Sequence, residues 1–116
     1  MSDPEIQGYR FGGMTVDGER HSKDLILLPD RAVENWRRKQ GHRLDVEDLR
    51  EVLDATPEML VVGTGACGMM EVPEKTRRAI EAANIELRIA QTGEAWQMYN
   101  DLQKQRRTAG AFHLTC

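Results

Sequence analysis

At 116 residues, 40% apolar and 30% charged, the chain has the size and mixture of one folded domain, since about 100 to 150 residues close a single hydrophobic core. Its 16 basic and 19 acidic residues leave a formal charge of −3, which gives no general attraction for nucleic acid or an anionic membrane. The longest apolar runs, Asp24-Leu25-Ile26-Leu27-Leu28 and Met59-Leu60-Val61-Val62, are far shorter than the roughly 20 residues that span a bilayer.

The amino terminus, Met1-Ser2-Asp3-Pro4-Glu5, is acidic and polar, unlike a secretory signal or an Arg-rich transit peptide, so residence in the cytosol is expected. Tyr9 to Val16 alternates loosely and runs into the tight-turn pair Asp17-Gly18. Asp24 to Leu28 reads as a buried strand ended by Pro29, which completes an antiparallel start. Residues 30–44 hold Trp36 among Arg37, Arg38, Lys39 and Arg43 without clean periodicity, which predicts a loop with short helical turns. From Asp45, an aspartate suited to capping is followed by Glu47 and Asp48 and by apolar Val46, Leu49, Val52 and Leu53 at helical spacing, predicting a helix over 45–55.

Thr56-Pro57 stops that helix, and the all-apolar Met59 to Val62 before Gly63 suits a strand buried on both faces. Pro73 opens a helix predicted over 73–84, with Asn84 as its left-handed stop. Ile85 to Ile89 alternates with period two, and Thr92 is placed to cap a helix over 93–106 whose inner face carries Ala95, Trp96, Tyr99 and Leu102. A last strand covers 109–114. Strands alternating with helices predict parallel strands at 59–63, 85–90 and 109–114, in a three-layer α/β single domain with a mixed central sheet and antiparallel N-terminal strands.

Gly63-Thr64-Gly65-Ala66-Cys67-Gly68 spells G-x-G-x-x-G directly after a strand, where glycines allow a tight turn and close approach to a pyrophosphate. The third glycine falls short of the next helix, and Ala90-Gln91 stand where a ribose-binding acid belongs, so the ordinary reading is a loop of unusual conformation and no cofactor is expected. Cys67 is either a reactive thiol near backbone amides or a semi-buried cysteine. Two cysteines are too few for a disulfide framework and read as free thiols. His113 and Cys116 have metal-like spacing but face opposite sides of a strand, so no metal site is expected. The basic stretches read as solvated charge, and Trp36, Trp96 and Tyr99 as core or interface anchors rather than a stacking platform for bases.

Three parallel strands bring the Gly63–Gly68 loop, the Gln91-Thr92 corner and the end of the last strand to one sheet edge, where open α/β sheets bind ligands. Gly63, Thr64, Gly65, Cys67, Gly68, Thr92, Tyr99 and Asn100 are the candidate ligand-binding residues, Thr92 adding a helix amino terminus favourable to an anion. The same topology brings Cys67 toward Cys116, within reach of an oxidant if their Cα atoms come within about 7 Å, although a reducing cytosol keeps such pairs as thiols.

Taken together, Val61-Val62-Gly63-Thr64-Gly65, Val72-Pro73, Ile85-Glu86-Leu87-Arg88, Gln91-Thr92, Ala95, Tyr99-Asn100 and the closing Gly110-Ala111-Phe112-His113-Leu114-Thr115-Cys116 resemble the small domain family of the adipogenesis-associated domain-containing protein. That mostly uncharacterised family also includes a mitochondrial assembly factor of respiratory complex I. The likeness runs from Pro4-Glu5-Ile6 to the Phe-His-x-Thr-Cys ending, while Cys67 and Gly68 are not features of the family as a whole. It implies helices against a central mixed sheet and no established enzyme activity. What it carries over is a protein-binding accessory domain with a protein partner; weak homo-oligomerisation is the other partner expectation, and the charge and the short apolar runs speak against nucleic acid and membrane. The alternative left open is a small-molecule or anion-binding protein using the glycine loop.

Overall fold

Alternation of side chains along each strand, acting on runs that are apolar at every position, makes a sheet that must be covered on both faces. The computed structural model describes residues 4–116, so Met1-Ser2-Asp3, part of the stretch read against a targeting segment, lies outside them. A five-stranded sheet forms the middle layer, in the order β5 (Arg31–Val33), β4 (Leu25–Leu28), β8 (Thr108–Phe112), β6 (Met59–Gly63), β7 (Glu86–Ala90). β6 pairs in parallel with both β7 and β8, as the helix–strand alternation predicts, and β4 joins β8 and β5 antiparallel.

Each central strand divides its residues between two cores. Ile26, Leu28, Leu60, Val62, Ala109 and Ala111 meet Leu49, Val52 and Ile80 from α1 (Arg50–Ala55), the 3-10 turn before it, and α2 (Glu74–Ala82). Leu25, Leu27, Val61 and Phe112 meet Ala95 and Tyr99 of α3 (Thr92–Gln103) together with Ile6, Met14 and Val16. Those last residues belong to a three-stranded antiparallel sheet, β1 (Ile6–Arg10), β2 (Gly13–Val16) and β3 (Glu19–His21), which shares the α3 side. Gly110 leaves the space in which the Phe112 and Tyr99 rings meet edge to face, 5.9 Å between centroids.

The Tyr9 to Val16 run is two strands rather than one, because Gly12 takes φ +77° and turns the chain between β1 and β2. Asp17-Gly18 is the tight turn its sequence signals, both residues having positive φ. Residues 30–44 contain no helical turn: Arg31–Val33 forms an edge strand, and the Trp36 N–H bonds the Asp24 carbonyl at 2.8 Å, spending the backbone on the sheet. The predicted helix over 45–55 is a 3-10 turn, Val46–Leu49, followed by α1, with Leu49 at φ −106° marking the break. Asp45 stands at the cap position in a capping box with Asp48, whose carboxylate accepts the N–H groups of Asp45 and Lys39, and the Asp45 carboxylate also pairs with Arg43. Pro73 caps α2 rather than opening it, and Asn84 takes the left-handed conformation just past its end. Among the described residues no helix is long and apolar enough to cross a membrane.

Candidate functional site

Parallel pairing of β6 with β7 and β8 puts Gly63, Ala90 and Phe112 in register, so the chain leaves all three strands at one sheet edge. Two tight approaches join the departing segments. A Cβ on Gly63 would stand 2.7 Å from Thr92 Oγ1 and 2.9 Å from the Phe112 ring. One on Gly65, which has φ +105°, would stand 2.5 Å from the Thr115 carbonyl oxygen and 2.6 Å from that of Cys116. The glycines therefore serve close packing of the chain on itself.

The loop's amides are used in the same way. Thr64 N–H donates to the Ala90 carbonyl (2.9 Å), Gly65 N–H to Thr92 Oγ1 (2.8 Å), Ala66 N–H to the Thr115 carbonyl (2.8 Å) and Gly68 N–H to the Gly65 carbonyl (3.2 Å). A phosphate cradle needs such donors free. Thr92 is not the helix cap: Gln91 holds that position, and Thr92 begins α3 with its buried hydroxyl accepting from Gly65 and donating to the His113 carbonyl at 2.7 Å. It joins all three departing segments. Thr92→Val, which keeps the shape and removes the hydroxyl, is expected to cost about 2 kcal/mol by stranding a buried donor and acceptor. Urea denaturation checks this, and a loss under about 0.5 kcal/mol would remove Thr92 as the latch.

Of the candidate residues, Gly63, Thr64, Gly65, Cys67, Gly68 and Thr92 are brought together. Tyr99 and Asn100 are not part of that group. The Tyr99 hydroxyl donates to the Pro4 carbonyl at 2.9 Å, and the Asn100 amide bonds both the N–H and the carbonyl of Ile6, holding β1 against α3. Nor are the cysteines free thiols: Cys67 and Cys116 form a disulfide across the edge, with Cα atoms 4.7 Å apart. Proximity followed from the parallel topology; the bond requires in addition that residues 113–116 lie along the glycine loop.

Beside this loop stands a charged cluster that sequence reading missed. Asp24 Oδ2 pairs with Arg38 Nη2 at 2.9 Å and with His113 Nδ1 at 2.8 Å, and Oδ1 accepts the Leu114 N–H at 2.8 Å. The Arg38 and His113 side chains are 4% and 7% exposed. Burial pushes the Asp24 carboxyl up, but the hydrogen bonds from His113 and Leu114 and the charges of His113 and Arg38 outweigh it, leaving it below the usual carboxylate range. Among the described residues, His113 Nε2 and Arg38 Nη1 are buried without a hydrogen-bond partner. Arg38 also lies 4.8 Å over the Trp36 ring, whose Nε1–H donates to the Asp48 carbonyl. A carboxylate directly ahead of the all-apolar Leu25–Leu28 was the available signal. Arg38 gave none, being one cation in a run of three.

A cleft of about 310 Å³ opens here, lined by Ser22, Lys23, Asp24, Asn35, Trp36, Arg37 and Thr115. Lys23 and Arg37 are exposed. On the same segment 113–116, Gly12 N–H donates to the Leu114 carbonyl (2.8 Å) and Met69 N–H to that of Cys116 (3.0 Å). These bonds place Phe11 and Met69, 62% and 55% exposed, beside the same segment. Among the described residues they are the large apolar side chains left in water.

Residues 6–113 match the model of a family described as a protein of unknown function, DUF498/DUF598. Solved structures share the fold. A conserved hypothetical protein of Pyrococcus horikoshii OT3 is 27% identical, with 97% of this chain and 99% of that one covered and a TM-score of 0.82. A protein from Rhodopseudomonas palustris is 34% identical over 92% of this chain and 80% of that one, TM-score 0.75. A Mth938-like domain from Bordetella pertussis, 20% identical over 96% and 85% of the two chains at a TM-score of 0.77, shares the fold alone.

Proposed function

From the premise that this chain belongs to the DUF498/DUF598 family, we propose that it is a non-enzymatic protein-interaction or assembly domain that docks its partner on the edge around segment 113–116. The observation that carries this reading is the placement of Phe11 and Met69, both exposed and both flanking that segment. Exposed apolar side chains gathered at one edge mark a contact surface better than scattered exposure does. The partner presents an apolar side chain to Phe11 and Met69 and a carboxylate to Lys23 and Arg37, neither of which has an ion-pair partner among the described residues. Resemblance to the adipogenesis-associated domain family supports an accessory role, and residence in the cytosol is part of this proposal. The burial of His113 Nε2 also favours contact over catalysis.

A second reading, an anion-binding protein, is favoured by one observation: Lys23 and Arg37 line the cleft beside Thr115. That site replaces the Gly63–Gly68 loop, whose Thr64, Gly65, Ala66 and Gly68 donors are spent internally. A photo-crosslinking residue placed at Phe11 or Met69 is expected to capture a discrete protein in cells, and one at exposed Glu81 on α2 is not. Capture should fall at least about tenfold when Lys23 and Arg37 are both changed to Glu, the loss expected for desolvated charge pairs. Equal capture from Glu81, or a stoichiometric small anion in native mass spectra with no captured protein, would reverse the ranking of the two readings.

A further inference from the structure

Cys67 is exposed in the loop between β6 and α2, and Cys116 is half-buried beyond β8. Their disulfide closes 49 residues of sequence. The backbone beneath it is held independently: Ala66 N–H bonds the Thr115 carbonyl, Met69 N–H bonds the Cys116 carbonyl, Leu114 N–H bonds Asp24 Oδ1, and the Thr92 hydroxyl bonds the His113 carbonyl. Two of these bonds, from Ala66 and Met69, join the loop that carries Cys67 directly to the segment that carries Cys116, and the other two tie that segment to Asp24 and to α3. Such pre-positioning makes oxidation an intramolecular step with a high effective concentration of the second thiol. Exposure of Cys67 gives an attacking thiolate its access.

We propose that Cys67–Cys116 is a reversible thiol–disulfide exchange site whose co-substrate is a dithiol. In reduction, one thiolate of the dithiol attacks Cys67 Sγ, forming a mixed disulfide as the Cys67–Cys116 bond breaks, and Cys116 leaves as a thiolate that takes up a proton. The second thiol of the co-substrate, deprotonated, then attacks its own sulfur in the mixed disulfide and releases the Cys67 thiolate, which is protonated in turn. Two electrons and two protons pass to the chain, and the dithiol becomes a cyclic disulfide. Oxidation by a disulfide runs the same exchange in reverse. The exchange site shares segment 113–116 with the partner-docking reading but does not rest on it.

The test uses the folded chain with dithiothreitol as reductant and oxidised glutathione as oxidant, free thiols being trapped and counted by intact mass. Reduction without denaturant, populating only species with no trapped thiol or two, followed by recovery of the bond with glutathione, is the expected result. The reduced protein keeps amide-exchange protection at Ala66 and Met69. In single variants, Cys67 of Cys116→Ser forms a mixed disulfide with glutathione at least about tenfold faster than Cys116 of Cys67→Ser, because it is the more exposed sulfur. Thiols that stay unpaired in oxidised glutathione, a bond that yields only in denaturant, or loss of protection at Ala66 and Met69 on reduction would each overturn the proposal. Equal rates in the two single variants would overturn the assignment of Cys67 as the sulfur attacked.

Discussion

Asp24→Asn is expected to lower stability by about 3 kcal/mol, the lower part of the range for breaking a buried ion pair. Asparagine fits the space but withdraws the charge shared by Arg38 and His113, whose side chains are 4% and 7% exposed. Arg38 Nη1 and His113 Nε2 are already without partners among the described residues, so the cluster has no spare acceptor to take over. The pH dependence carries a definite sign. Asp24 has its pKa lowered in the folded state: burial raises it, and the hydrogen bonds of His113 and Leu114 with the charges of His113 and Arg38 bring it below the ordinary value. A group depressed on folding contributes stability that is complete above its unfolded pKa, about 3.9, and is lost as pH falls through the folded one. The gap between wild type and Asp24→Asn in urea denaturation should accordingly be full at about pH 6 and shrink toward about pH 3. A gap below about 1 kcal/mol at the higher pH, or one that widens on acidification, would show that the cluster does not support the fold in this way.

Gly65→Ala is expected to cost about 3 kcal/mol or more, combining a left-handed backbone strained for any Cβ with overpacking against the chain. The new methyl would stand 2.5 Å from the Thr115 carbonyl oxygen, 2.6 Å from that of Cys116 and 2.7 Å from His113 Cδ2. Two of those are backbone atoms fixed by bonds from Ala66 and Met69, so the neighbours cannot swing aside. Gly93→Ala is the matched control: Gly93 lies in the first turn of α3 with nothing within 4 Å of its added Cβ, and the change should be neutral or stabilise by up to about 1 kcal/mol. Thermal denaturation of both, with amide exchange at Ala66 and Met69, decides the matter. Equal stability of the two variants would mean that segment 113–116 does not close on the glycine loop as described.

How much of this was legible in sequence depends on how far apart the interacting residues are. Leu25–Leu28 and Met59–Val62 are apolar at every position, and an element of that composition has to be a strand covered on both sides, wherever its neighbours lie. The alternation of such strands with periodic helices then brought the parallel order of β6, β7 and β8, and with it the gathering of Gly63, Thr92 and the last segment at one edge. Gly12 escaped notice because a turn glycine inside an alternating run looks like a strand residue until the hairpin forms.

The candidate site divides along the same line. Local chain conformation and apolar periodicity reach only a few residues, and they determined the central apolar strands, the helices in outline and the unusual glycine loop of this protein, but not the edge strand β5 or the turn at Gly12. The roles of its polar side chains were decided by tertiary structure alone. Thr92 reads as a cap in sequence because a threonine before a helix ordinarily bonds its own first turn, whereas its hydroxyl is here claimed by Gly65 and His113, 27 and 21 residues away. Asn100 and Tyr99 read as walls of a pocket and instead bond Ile6 and Pro4, 94 and 95 residues distant. Asp24 meets His113 across 89 residues. A buried hydrogen bond is worth forming with whichever partner the packed core delivers, and that delivery is set by the completed sheet rather than by neighbours in the chain.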